Sequence, residues 1–242
     1  MIPIFKKEIR TFFGSLTGVM AIIVFLLLMG LLLFVFPDTS ILAFGYATLD
    51  NFFSLAPFVL LLLIPAITMR SLADEFRQGT WEILATRPLS AANIVVGKYF
   101  GALLVAILAL VPTLTYIITI KLLSVDHQID GGAIAGSYIG LLSLVALFTA
   151  VGIFCSAVSS NAMVGFLLAA LGCYLLFSGF DAVSRIPVLA GGLDYYIQQL
   201  GADAHYRSLS RGVLQASDLA YFAITSLLFL FLTQRLLLRK NR

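Results

Sequence analysis

The chain has 242 residues, 61% of them hydrophobic and 11% charged, with a formal net charge of +3. Soluble domains carry about 25% charged residues, and a water-soluble fold of this length could not hide so much apolar surface. A bilayer removes the difficulty because lipid solvates the outer face. The composition therefore excludes an ordinary soluble domain and predicts one integral all-α membrane domain over residues 1–242, with six spans of about 20 residues.

Residues 1–16 come first. Ile2, Phe5, Ile9, Phe12 and Leu16 recur at helical spacing, and Lys6, Lys7 and Arg10 largely avoid that stripe. The pattern predicts an amphipathic helix lying on the membrane surface, its cations near anionic headgroups. The alternative is a basic flank that only fixes topology. The apolar run Thr17–Phe36 follows. At about 20 residues it exceeds a signal h-region of roughly 7–15, and Pro37-Asp38-Thr39-Ser40 offers no A-x-A-like cleavage site, so it reads as a retained first span.

The second span is Phe52–Met69, with Pro57 and Pro65 inside it. The third is Ile94–Ile120, with Lys98 near its start and Pro112 in its middle. The fourth is Ile134–Val158 and the fifth Ala162–Phe180. The sixth, Leu219–Leu236, has the shortest apolar core, and Arg235 is expected to snorkel to the interface. Pro65 and Pro112 free backbone carbonyls and can kink their helices.

Orientation follows from the cations. With the N-terminus inside, eleven of the fifteen Lys and Arg residues fall on inside segments, and only Lys121, Arg185, Arg207 and Arg211 fall outside. Both termini are therefore expected in the cytoplasm.

Small residues recur four apart at Gly97 and Gly101, Gly136 and Gly140, and Gly165 and Ala169. Such pairs let backbones approach closely in lipid. The spans hold almost no ionisable residues and none at mid-depth, which argues against an ion-coupled transporter or proton pump. Cys155 and Cys173 lie inside apolar runs and read as inert core residues. His127 with Asp126 and Asp130 reads as solvated loop in preference to a metal site. No Ser/His/Asp or Cys/His set supports catalysis, so the chain is not expected to be an enzyme.

The most informative stretch joins the second and third spans, residues 70–93. It predicts two short helices with a break. Gly79 suits the position after the first helix. Thr80 can cap the second, with Glu82 in its first turn, and Pro88 stops it. Ser90 can cap the third span. Leu72, Phe76, Trp81, Ile83 and Leu84 supply apolar knobs. Such an elbow with an aromatic tip suits a groove on a soluble partner; equally, its Trp and Phe could simply anchor to the interface.

The pattern Glu75-x-x-x-Gly79-Thr80-x-Glu82-x-Leu84-x-x-x-Pro88-Leu89-Ser90 after a second span resembles the coupling-helix region of type-2 ABC exporter permeases. His205-Tyr206-Arg207-Ser208-Leu209-Ser210-Arg211-Gly212-Val213-Leu214, then Asp218-Leu219-Ala220-Tyr221-Phe222, is similar to the same family. Phe5-Lys6-Lys7-Glu8 and Phe52-Phe53-Ser54-Leu55-Ala56-Pro57 resemble its gliding-motility (Gld) branch in Bacteroidetes-type bacteria. Gln215-Ala216-Ser217 departs from the more charged stretch expected there.

The resemblance covers essentially the whole chain and implies a permease subunit in a bacterial inner membrane. It would serve export, or a force-bearing or regulatory role in gliding motility or secretion. No G-x-x-x-x-G-K-[ST] occurs, so ATP and Mg are expected in a separate dimeric ATPase, and none in this chain. A second permease, related rather than identical, and membrane lipids are the other expected partners; nucleic acid is not. Glu75, Phe76, Gly79, Thr80, Trp81, Glu82 and Pro88 would couple to the ATPase. The external segment 181–218 would form short helices, with Ser208, Ser210, Arg211, Gly212 and Asp218 as a candidate exit gate. The alternative is a membrane scaffold or polytopic enzyme not coupled to ATP.

Overall fold

The computed structural model describes residues 2–42, 48–81, 90–124, 129–186 and 192–240. Twelve α-helices are found among them, and no strand. They are α1 (Ile2–Phe13), α2 (Leu16–Phe34), α3 (Asp50–Thr68), α4 (Ala73–Arg77), α5 (Ala91–Leu110) and α6 (Thr115–Leu123). After these come α7 (Gly131–Val158), α8 (Ala162–Tyr174), α9 (Phe180–Ser184), α10 (Leu193–Gln199), α11 (Ala202–Leu209) and α12 (Ala216–Lys240). Five helical stretches are long and apolar enough to cross a membrane. The pair α1–α2, bent by 66°, makes a sixth if it counts as one span.

The bend between α1 and α2 has a local cause. Ser15 caps α2, accepting from the Gly18 N–H at 3.2 Å, while its own hydroxyl returns to the Phe12 carbonyl at 2.9 Å. One residue thus closes one helix and opens the next. The Pro112 break is handled in the same way. A 3₁₀ turn, Val111–Leu114, replaces the α-helix there. Thr113 donates to the Leu110 carbonyl and Thr115 to the Pro112 carbonyl, at 2.6 and 2.7 Å. Pro57 and Pro65 lie within α3, which stays helical across both.

The axis of the bundle is α7, 28 residues long and buried along most of its length. It touches α3, α5, α8, α11 and α12. Leu141, Leu144, Val145, Leu147 and Phe148 are fully enclosed. Outward, Leu122, Ile118, Leu167, Leu171 and Leu227 are exposed. In water such a band would drive aggregation; lipid solvates it without cost. Cys155 and Cys173 are buried and unbridged.

The small-residue pairs pack closely: Gly165 lies against Ser156 of the spanning helix α7, while Gly136, Gly140 and Gly101 meet other partners. Gly136 and Gly140 of α7 form a notch that receives the end of α11 and the turn after it. A side-chain carbon on Gly140 would lie 2.5 Å from Leu209 Cβ, and one on Gly136 would lie 2.7 Å from the Gly212 carbonyl oxygen. Gly212 itself has φ +80 and leaves no space for a side chain beside Ala133. A side-chain carbon on Gly101 of α5 would lie 2.7 Å from Glu8 Cβ of α1.

Leu16, at the end of the predicted membrane-facing stripe, is exposed, and Ile4 of α1 is buried. The Ile4–Glu8 side, one turn apart, packs along α5, because Gly101 offers a recess there and Lys98 offers a charge partner.

A substitution at the notch tests this packing. Gly140→Ala is expected to destabilise the protein by about 1–3 kcal/mol by overpacking. Gly30→Ala, at a glycine with no atom within 4 Å of the added carbon, should leave the melting temperature in mild detergent unchanged or slightly raised.

Candidate functional site

Lys98 sits in the second turn of α5 with its side chain only 1% exposed. A buried ammonium is costly unless it is paired and all three donors are used. Here all three are. Lys98 Nζ donates to Glu8 Oε1 of α1 at 2.7 Å, to Glu75 Oε1 of α4 at 3.0 Å and to the Ser71 carbonyl at 2.5 Å. Lys7 adds a second contact to Glu75 Oε1 at 3.1 Å, but it is largely exposed and contributes little. The four side chains are formally neutral together. Sequence reading finds Lys98 near the start of a span; what it misses is that the residue is fully enclosed. The one available signal is a lysine inside an apolar helix with two acidic residues on neighbouring segments.

The chain break between α3 and α4 is closed by a second buried group. Ser156 of α7 accepts from the Leu72 and Ala73 N–H groups at 3.0 and 3.1 Å and donates to the Met69 carbonyl at 3.0 Å. One hydroxyl thereby satisfies three of the backbone groups that a helix break orphans. Gly152 allows α7 to come this near, since a side-chain carbon there would strike Thr68.

The elbow residues divide accordingly. Glu75 is buried and held by Lys98. Phe76 lies edge-on to Trp81, centroids 5.5 Å apart, under the ammonium of Lys240 at 3.7 Å. Lys240 also donates to the Ala157 carbonyl at the end of α7, at 3.0 Å. Trp81 is 6% exposed and Leu72 is fully buried. The expectation of an exposed aromatic tip is therefore corrected: these side chains pack inward, where the end of α12 and the bundle give them apolar contact. Arg77, Gln78, Gly79 and Thr80 are exposed, as is Arg70.

Gly79 has φ +67 and follows α4, as a glycine at a helix end does. Helical conformation resumes at Thr80 and Trp81. The Thr80 hydroxyl donates back to the Glu75 carbonyl at 3.4 Å. Glu82 and Pro88 lie outside the described residues, as do Ile83, Leu84, His127 and Asp126. Asp130 caps α7, accepting from the Ala133 N–H at 2.9 Å.

At the opposite end, the candidate gate residues separate into two groups. Ser210, Arg211 and Gly212 follow α11 and lie against α7, where Ser137 donates to the Ser210 carbonyl at 2.9 Å. The Ser208 hydroxyl turns to the Val213 carbonyl at 3.5 Å. Asp218, in the first turn of α12, is 6% exposed and meets His205 Nδ1 at 2.8 Å. His205 Nε2 faces the Gln199 carbonyl at 3.0 Å, so that nitrogen must donate, and the ring stacks on Tyr221 at 4.1 Å. Among the described residues no three His, Cys, Asp or Glu side chains form a metal-holding group.

Tyr206 completes this end. Pro57 has no N–H, so the Phe53 carbonyl one turn earlier lacks its helical donor. Tyr206 supplies it, its hydroxyl donating to that oxygen at 2.7 Å from 153 residues away. Burial, with the charge of Asp203 nearby, pushes its phenol well above the ordinary value. The neighbouring Arg207 is raised by its hydrogen bond to Asp203. The chain matches no protein-family model and no curated protein.

Two results are expected. Lys98→Met leaves two carboxylates without their buried partner and should cost about 3–5 kcal/mol, with part recovered when Glu75→Gln is added; a double-mutant cycle on unfolding in detergent checks it. Tyr206→Phe should cost about 1–2 kcal/mol at neutral pH. In the parent protein the Tyr206 contribution is fully present below about pH 10 and is lost as pH rises beyond it, because the unfolded phenol ionises there while the folded one stays protonated. Melts on either side of that pH should show a smaller alkaline loss in the variant.

Proposed function

We propose that this chain is the transmembrane permease subunit of an ABC transporter, coupling ATP hydrolysis on a separate ATPase chain to export. A force-bearing or regulatory role in gliding motility or secretion is the other form this coupling takes. The observation that carries the reading is the anchored elbow. Residues 70–81 are held to α1, α5 and α7 through Lys98, Glu8 and Ser156, and the polar tip Arg77–Thr80 is exposed, as is Arg70. A push on such a tip is delivered to three helices at once, as a rigid-body switch requires. The resemblance of Glu75–Ser90 to a coupling helix supports the same assignment.

In this reading the six spans lie in a bacterial inner membrane. The Lys98 end faces the cytoplasm, in keeping with the bias of eleven cations to four. ATP and Mg bind a dimeric ATPase that docks on the exposed tip, and a second, related permease completes the pore. Because Phe76 and Trp81 are turned inward, the docking contact is polar and is made by Arg77, Gln78 and Thr80, with Glu82 and Pro88 of the adjoining stretch.

The test is purification of the tagged chain from its native membrane, followed by ATPase assays on what accompanies it. A P-loop ATPase is expected, with hydrolysis that depends on the permease. Gly79→Pro should abolish that dependence while leaving insertion intact, since proline cannot adopt the φ of +67 found there. Recovery of the chain alone, from membranes where such an ATPase is expressed, or unaltered coupling in the variant, would overturn the proposal in favour of a scaffold or membrane enzyme.

A further inference from the structure

The end of the bundle away from Lys98 carries a cleft of about 900 Å³ between α3, the stretch Phe177–Arg185 and α11. Its two long walls have the same chemical gradient. On α3, Asp50, Ser54 and Phe58 are spaced one turn apart and share a face. Opposite, Arg185, Asp181 and Phe177 line the cleft, with the Arg185 side chain 70% exposed and Phe177 buried. Phe58 and Phe177 meet edge to face, centroids 5.7 Å apart. Each wall thus passes from charge to aromatic over about 12 Å. Phe58 is half exposed on a helix apolar enough to cross a membrane, so the floor borders the surface that acyl chains solvate.

The charges at the mouth fall into paired and unpaired sets. Asp181 holds Arg185 at 2.7 Å and Arg207 at 3.6 Å, and Asp203 holds Arg207 at 2.5 Å. Those pairs neutralise one another. Asp50 and Arg211 also line the cleft, both are exposed, and neither has a side-chain partner among the described residues. The two reappear together on an adjoining recess of about 130 Å³. A formally neutral cleft therefore offers one uncompensated carboxylate and one uncompensated guanidinium above an aromatic floor.

A purely anionic headgroup would satisfy Arg211 and be repelled by Asp50; a cationic one would meet the reverse. A group that carries a phosphate and a primary ammonium satisfies both, with charge-assisted hydrogen bonds at each end. A chain attached to it would leave along Phe58 into the bilayer. We propose that this cleft binds the headgroup of a zwitterionic phospholipid, its phosphate on Arg211 and its ammonium on Asp50. The assignment does not rest on the transporter reading; a scaffold with this cleft would bind the same lipid.

Native mass spectrometry of the delipidated full chain in detergent tests it, with three probes: dioleoyl phosphatidylethanolamine, dioleoyl phosphatidylglycerol and soluble phosphoethanolamine. One saturable phosphatidylethanolamine adduct is expected. Asp50→Asn and Arg211→Gln should each weaken it by about fivefold or more, near the weight of one exposed charge-assisted hydrogen bond. Arg211→Lys should retain most of the binding, and Lys6→Gln, at the other end, should change nothing. Both cleft residues are exposed and have no side-chain partner among the described residues, and equal melting temperatures across the set establish that every variant is folded. Binding indifferent to Asp50 and Arg211 overturns the site. Equal affinity for phosphatidylglycerol with the same variant dependence overturns the zwitterion assignment. Displacement by phosphoethanolamine at matching concentration overturns the lipid source in favour of a free solute.

Discussion

An ammonium enclosed in protein must have three acceptors, and the Lys98 ammonium draws them from three separate segments. One is the carboxylate of Glu8 on the N-terminal helix. Another is the carboxylate of Glu75 on the elbow. The third is a main-chain carbonyl, that of Ser71, at the break between α3 and α4. Withdrawal of any one leaves a charge or a carbonyl unsatisfied in a poorly hydrated place. The N-terminal helix, the elbow and α5 are therefore bound to one arrangement. Well-packed apolar side chains in place of such a cluster often serve stability as well, but they would lose the directional contacts that fix the elbow's position.

The rest of the bundle is organised so that α7 can approach its neighbours at both ends. Gly152 and Ser156 bring it against the α3–α4 break, and Gly136, Ser137 and Gly140 bring it against the turn after α11. Between them lies an apolar stretch in which Leu141, Leu144, Val145, Leu147 and Phe148 are enclosed. In lipid the hydrophobic effect does not draw helices together, so close packing and hydrogen bonds must do it. Glycine and serine supply both, the first by removing bulk and the second by pairing backbone groups. A helix of 28 residues, about 42 Å long, thus connects the two ends that carry polar chemistry.

Those ends are different in kind. The Lys98 ammonium uses all three of its donors, Glu75 Oε2 beside it is buried with no hydrogen-bond partner among the described residues, and the polar tip Arg77–Thr80 is exposed. The opposite end keeps unmatched charge at the mouth of a cleft. On the proposed transporter reading, the first arrangement suits transmission of force and the second suits contact with a ligand. Anchoring by Tyr206 and by the His205–Asp218 pair holds the short helices of the second end to α3 and α12, so the cleft has fixed walls.

How much of this is legible in the sequence depends on the range of the interaction. Apolar run length, helical spacing and the caps Ser15, Ser90 and Asp130 are local, and they suffice for the helices and for a surface only a bilayer would solvate. The break at Gly79 is local too, because its positive φ belongs to one residue. Pairings across the bundle are another matter. A proline in α3 states that some carbonyl needs a donor and does not say that the donor is Tyr206. A glycine pair states that something approaches closely, and at Gly136, Gly140 and Gly101 it is a turn and a carboxylate side chain, while at Gly165 it is a spanning helix. The same holds for Phe76 and Trp81: periodicity marks them as apolar knobs, but whether they point out to a partner or in to Lys240 depends on where α12 ends. The sequence by itself determined the helical membrane class and its punctuation, because those follow from transfer energies and backbone preferences of neighbouring residues. Only the tertiary structure decided that Glu8, Glu75 and Lys98 converge, because burying a charge is a requirement met by geometry and not by proximity along the chain.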